Sequence, residues 1–151
     1  MHTNESTAAA DHERYMRRCI ELARVAKSQG NTPVGSLVVI DGAIVGEGIE
    51  TLPAGSSVTG HAEVLACQSA VDQIGSRILR DATLYTTAEP CFMCSYVIRQ
   101  CECAVVVYGV DVAAVGGVTS CLPVLTDATL QGWKNAPRVI DGVLADECRA
   151  I

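Results

Sequence analysis

A chain of 151 residues, 49% hydrophobic and 19% charged, has the length and composition of one domain with a full-sized core, not of a disordered chain. Its formal net charge of −6 argues against a broad basic face for RNA or DNA and favours a small, weakly charged substrate. No apolar run is long enough to span a bilayer and the N-terminal stretch lacks an apolar signal segment, so the expected location is cytoplasmic, with no membrane partner.

Residues 1–10 read as a short, flexible polar tail and residues 11–151 as a single domain. From Asp11 to Gln29, the apolar residues Tyr15, Cys19, Leu22 and Ala26 recur at helical spacing, with Asp11 placed to cap the helix and Gly30 to end it. Val34 to Ile40 predicts a buried strand, Asp41-Gly42 a hairpin turn, and Ala43 to Gly48 the returning strand. Thr51 to Gly60 is a loop by composition, and Ala62 to about Ile74 a helix. A short strand follows at Leu84 to Thr87, then a helix started by Pro90 and running to about Gln100. The β-branched run Ala104 to Val110 predicts a central strand. Residues 111–137 are ambiguous; Val139-Ile140 reads as a last strand or edge, and Gly142 to Ile151 as a closing helix. A hairpin followed by alternating helices and strands implies a mixed sheet with helices on both faces.

Eight cysteines stand at positions 19, 67, 91, 94, 101, 103, 121 and 148. In a chain with a full-sized core and no leader, these read as free thiols and metal ligands in preference to disulfides. His2 and His12 lie in the tail and first helix, which leaves His61 as the histidine of the domain body.

Two short motifs carry the chemistry: His61-Ala62-Glu63, and Pro90-Cys91-Phe92-Met93-Cys94. Together they match the pattern H-x-E followed by P-C-x-x-C, in which one histidine and two cysteines bind zinc. Two thiolates and an imidazole leave a fourth position open for water, whose pKa the ion lowers toward neutrality. Cys91 and Cys94 are three apart, so one helical turn can aim both sulfurs at one ion, and a helix N-terminus favours thiolates. Glu63 is the expected proton carrier, from the zinc-bound water to the ring nitrogen and then to the leaving amine, which requires burial to raise its pKa. The bland rival is a closed zinc knuckle of Cys91, Cys94, Cys101 and Cys103; it leaves His61 and Glu63 without a role. Cys19, Cys67, Cys121 and Cys148 read as small core or surface residues.

With these motifs in view, the chain resembles the cytidine/adenosine deaminase superfamily, in the branch of tRNA adenosine, guanine and fungal cytosine deaminases. The likeness extends to Thr32-Pro33-Val34-Gly35, Gly46-Glu47-Gly48, Leu84-Tyr85-Thr86-Thr87-Ala88-Glu89-Pro90-Cys91, Tyr108-Gly109-Val110-Asp111 and Gly142-Val143-Leu144-Ala145-Asp146-Glu147-Cys148, covering about residues 11–151. The resemblance implies a three-layer α/β/α sandwich with a five-stranded mixed sheet, one zinc ion per subunit, and a homodimer or larger homo-oligomer. It also implies that the Ala62 backbone and the loop before His61 contact the base.

Two departures from the family pattern bear on the substrate. Where this branch usually carries an asparagine two residues after G-E-G, this chain has Glu50, which only accepts hydrogen bonds when ionised. Glu50 therefore either selects a ring presenting N–H donors, such as a guanine-like one, or is a solvated loop residue. The chain also stops at Arg149-Ala150-Ile151 without the basic, aromatic helix usual in tRNA adenosine deaminases. Phe92 either walls the pocket or packs. Asp111 could bond substrate, although a capping or turn role fits better; Trp133 could cover a pocket mouth, although an interface or core role fits better. Gly116-Gly117 reads as a turn, not a phosphate loop. The expected activity is hydrolytic deamination of a nucleobase, nucleoside or related amino-heterocycle, guanine-like or cytosine-like, releasing ammonia. The alternative is a tRNA adenosine deaminase forming inosine in the anticodon, and the lesser alternative is a non-catalytic zinc-stabilised binding module.

Overall fold

Period-two burial organises the sheet. In the computed structural model, which describes residues 3–129, 132 and 135–151 with side chains from residue 8 onward, Leu37 and Val39 face one layer of helices and Val38 the other. Tyr85 and Val107 join the first face; Leu84 and Val106 join the second. The strands are β1 (Gly35–Ile40), β2 (Ala43–Ile49), β3 (Thr83–Ala88), β4 (Val105–Val110) and β5 (Arg138–Ile140), in the order β2-β1-β3-β4-β5. β1 is antiparallel to β2 and β3, whereas β3, β4 and β5 run parallel. The hairpin turn is Asp41-Gly42, with φ of 50° and 76° as the right-handed strand twist demands.

Helices α1 (Thr3–Ser28) and α4 (Ala145–Arg149) cover one face, and α2 (Ala62–Ile74) and α3 (Phe92–Gln100) the other. This is the expected three-layer α/β/α sandwich. Two boundaries differ from expectation. Helix α1 begins at Thr3 and not at Asp11, in keeping with the strong helix preference of Ala8, Ala9 and Ala10. The closing helix is shorter than residues 142–151, because Gly142 and Leu144 take left-handed φ values of 73° and 50° just before it. Between β4 and β5 the described residues form turns without a helix or strand. Trp133 lies outside the described residues. Among the described residues no helix is long and apolar enough to cross a membrane.

Glycines let the helices sit directly on the sheet. A Cβ at Gly35 would lie 2.1 Å from the Cys19 carbonyl of α1, and one at Gly48 would lie 2.2 Å from the Ala62 carbonyl of α2. Gly46 meets α2 a turn later, 2.5 Å from the Ala66 carbonyl. The Gly46-Glu47-Gly48 segment is thus a seat for α2, and between the two glycines Glu47 turns outward to take both Nε and Nη2 of Arg18 at 2.8 Å. Overpacking at such a contact costs about 1–3 kcal/mol. Gly48→Ala is expected to lower the unfolding free energy by about that amount in urea titration. An unchanged midpoint would contradict the direct seating of α2.

Candidate metal centre and adjoining cavity

Helices α2 and α3 both begin at the edge of the same cavity, and their first residues supply the ligand atoms. His61 is the N-cap of α2 in extended conformation, and its carbonyl accepts the Leu65 N–H at 3.1 Å. Cys91 is the N-cap of α3, and its carbonyl accepts the Ser95 N–H at 2.8 Å. Cys94 follows one turn into α3 and is fully buried. The His61 Nδ1 lies 3.6 Å from the sulfurs of both Cys91 and Cys94. Ligand atoms of the three residues all lie within 4.8 Å of one another, and among the described residues no other group of histidine, cysteine or acidic side chains does so.

This triad fits zinc. Zn–N distances of about 2.0–2.1 Å and Zn–S distances of about 2.3 Å, at a tetrahedral angle, set imidazole nitrogen and thiolate about 3.6 Å apart. The donor set of two soft sulfurs and one imidazole suits zinc as well. The Cys94 thiol and the backbone N–H groups of Cys94 and Met93 pull the Cys91 pKa down to about 5, against the opposing effect of burial. The neighbouring Cys91 and burial push Cys94 the opposite way. The four-cysteine knuckle does not form: Cys101 and Cys103 sit in the core with Cys67, between the sheet and helices α2 and α3. Cys19 and Cys148 pack in the opposite core, and Cys121 is exposed.

Glu63 lies in the first turn of α2, 4% exposed. Its Oε1 accepts the Thr86 hydroxyl from β3 at 3.1 Å, and its Oε2 stands 3.5 Å from the Cys94 sulfur. Burial raises its pKa to about 7, only partly opposed by its own backbone N–H and the Thr86 hydroxyl. A cavity of about 300 Å³ opens beside these residues, bordered by His61, Glu63 and Cys91, by Glu50 and Leu52, and by Val112 and Val115.

Glu50 is not a solvated loop residue. It is 5% exposed and borders the cavity, and its Oε1 accepts the Leu52 N–H at 3.3 Å. Burial raises its pKa, while His61 and the N–H groups of Leu52 and Ala62 oppose that rise. Ala62 is fully buried and reaches this region through its backbone. Phe92 and Asp111 are not among the residues bordering the cavity. A helical turn that aims residues 91 and 94 inward sends residue 92 to a different side. Asp111 is exposed, accepts the Tyr108 hydroxyl at 2.9 Å, and borders a separate cleft with Asp141 and Arg149.

Sequence reasoning missed Glu89, which precedes Pro90-Cys91 and is 3% exposed. Its carboxylate accepts the N–H groups of Val112, Val118 and Thr119 at 2.6, 2.8 and 2.6 Å, and the Thr119 hydroxyl at 2.7 Å. A Cβ at Gly116 would meet that carboxylate at 2.1 Å, so the Gly116-Gly117 turn wraps tightly around it. Gly116 bridges to Cys91, and the Gly117 N–H bonds the Pro90 carbonyl at 2.8 Å. Glu89 thereby holds the segment that carries Val112 and Val115 over the cavity. Burial pushes its pKa up, but the donors from Thr119, Val112 and Val118 outweigh it and hold the carboxyl below its usual value.

Residues 9–110 match the family described as the cytidine and deoxycytidylate deaminase zinc-binding region. The chain is 33% identical over 137 residues to the tRNA-specific adenosine deaminase of Streptococcus pyogenes serotype M1, covering 91% of this chain and 78% of that one. A structure from work on A-to-I editing by tRNA:A34 deaminases at the wobble position of transfer RNA superposes with a TM-score of 0.84 at 28% identity, covering 91% of this chain and 97% of that one. The guanine deaminase of Bacillus subtilis superposes with a TM-score of 0.64 at 36% identity, over 66% of this chain and 64% of that one.

The purified protein is expected to hold about one zinc per chain, and His61→Ala, Cys91→Ala and Cys94→Ala each to lose it, by elemental analysis. Retention of full zinc by any of the three would contradict the triad. A second expectation concerns Glu89. A glutamine there turns an N–H₂ group toward donors, so Glu89→Gln should cost on the order of 2–4 kcal/mol at pH 7. Since the folded pKa is depressed, the carboxylate's contribution is present above the unfolded value of about 4.5 and is lost as pH falls through the folded one. The gap between wild type and Glu89→Gln in thermal melts should therefore narrow below about pH 4.5; a gap independent of pH would contradict the charge-assisted network.

Proposed function

This chain belongs to the cytidine and deoxycytidylate deaminase family of zinc-dependent hydrolases acting on C–N bonds, and from that premise we propose that it deaminates a free nucleobase, nucleoside or related amino-heterocycle. The observation that carries the proposal is the buried Glu63 carboxylate beside a cavity of about 300 Å³ and a zinc-type ligand triad. His61, Cys91 and Cys94 would hold the ion, which when bound acts as a Lewis acid and lowers the pKa of water at its open position. Glu63 takes a proton from the attacking water and gives it to the ring nitrogen, then carries the remaining proton of the added hydroxyl to the amine, which leaves as ammonia as the carbonyl forms. Its pKa of about 7 suits a group that must both accept and donate a proton near neutrality. Thr86 fixes the carboxylate through the hydrogen bond to Oε1. Glu50 and the Ala62 backbone lie where a ring in the cavity would present its edge.

A second reading, deamination of adenosine in a tRNA anticodon, is favoured by the relatives, which include bacterial tRNA-specific adenosine deaminases. It would use the same triad and the same Glu63. Against it stand the net charge of −6 and the acidic lining of the cavity. We place the protein in the cytoplasm, in line with eight cysteines that are all unpaired. A homodimer or larger homo-oligomer would cover the groove between α2 and α3, where Tyr96 is 49% exposed beside Val64, Val71 and Val97.

Ammonia release from a panel of purine, pyrimidine, triazine and pterin amines tests the reading. Glu63→Gln should retain zinc and lose about 10²–10⁴ of kcat/KM. Undiminished turnover in that variant would remove Glu63 from the proton path. Inosine formed in an anticodon loop with a salt-sensitive tRNA shift would decide for the second reading.

A further inference from the structure

Besides Thr32 and the ligand residues His61 and Cys91, the cavity is walled by acidic and apolar side chains, and no lysine or arginine borders it among the described residues. Its acidic groups are Glu50, Glu63 and Glu89, all buried. They differ in what they have left to give. Glu89 is saturated by the four donors of the segment it holds. Glu63 is committed to Thr86 and to the reacting end of the cavity. Glu50 leans on backbone alone, accepting the Leu52 N–H at 3.3 Å with the Ala62 N–H close by. An ionised carboxylate offers about four lone-pair positions, so about two remain for a ligand.

Such a wall has two chemical consequences. A second amino group on the ring edge can donate to this carboxylate, and a hydrogen bond to an ionised acceptor is roughly twice as strong as one between neutral groups. A phosphate or carboxylate on the ligand would meet buried negative charge with no cation to pair, and the low local dielectric magnifies that repulsion. Two thiolates balance a divalent ion, so the metal does not offset Glu50.

We propose that Glu50 is the specificity-determining residue of this pocket, which takes an uncharged or cationic amino-heterocycle presenting a second donor edge and refuses phosphorylated nucleotides. The inference rests on the deaminase reading above and narrows it: nucleotides are excluded from a family that in part acts on them by name. It also gives the departure at Glu50 a direction, toward rings richer in amino groups.

Calorimetry on the zinc-loaded protein tests it with two probe pairs. 2,6-Diaminopurine and adenine differ by one amino donor; adenosine and adenosine 5′-monophosphate differ by a phosphate. The diaminopurine should bind at least about tenfold more tightly than adenine, and Glu50→Gln should shrink that ratio to about twofold. The monophosphate should fail to bind, or bind at least about tenfold more weakly than adenosine. Equal affinities within the first pair, a ratio that Glu50→Gln leaves intact, or a monophosphate that binds as well as its nucleoside would each overturn the proposal. If Glu50→Gln does not fold, the wild-type ratios decide alone. Equal kcat/KM for ammonia release from adenine and 2,6-diaminopurine would sink the selectivity and leave the deaminase reading standing. Diaminopurine held through Glu50, with no ammonia from any amine of the panel, would sink the deaminase reading alone.

Discussion

Helices α2 and α3 start at one end of the sheet, and the side chains of their first turns meet at one point. His61 and Cys91 are far apart in the chain, yet His61 Nδ1 stands 3.6 Å from both Cys91 and Cys94 sulfurs. The meeting depends on the sheet. β3 delivers Ala88, Glu89 and Pro90 directly to the start of α3, and β2 seats α2 on Gly46 and Gly48. Helix N-termini bring positive partial charge to the place where thiolates must form, so local backbone geometry and metal chemistry favour the same arrangement.

The surrounding packing protects that point in two ways. Glu89 is a buried carboxylate engaged by backbone and Thr119 donors, and it fixes the apolar segment over the cavity. Glu63 is a buried carboxylate with few donors, which leaves its proton exchangeable near neutrality. These two glutamates titrate in opposite directions: burial outweighs the donors at Glu63, and the donors outweigh burial at Glu89.

Much of this was legible in the sequence where the governing interactions are local. The first-turn spacing of Cys91 and Cys94, the hairpin turn at Asp41-Gly42 and the β-branched strand at Val105–Val110 all follow from neighbours in the chain. The triad was legible because H-x-E and P-C-x-x-C pair ligand types with helix starts. Long-range closure was not legible. Nothing near Glu89 in the sequence announces that Val112, Val118 and Thr119 will fold back onto it. For Phe92 and Asp111 adjacency to Cys91 and to the β4 end left a pocket role and a packing or turn role both open, since side-chain direction, not adjacency, decides what borders a cavity. Glu50 could be named as unusual, but its burial depends on the fold, which sets its carboxylate against the Leu52 N–H and the start of α2.

The central claim is that one imidazole and two thiolates share a single zinc ion with a position left open for chemistry. X-ray absorption at the zinc edge of the purified protein measures that coordination sphere directly. The account predicts two sulfur ligands at about 2.3 Å and one imidazole nitrogen with a further light atom at about 2.0–2.1 Å. A shell of four sulfurs, or one of oxygen and nitrogen alone, would contradict it.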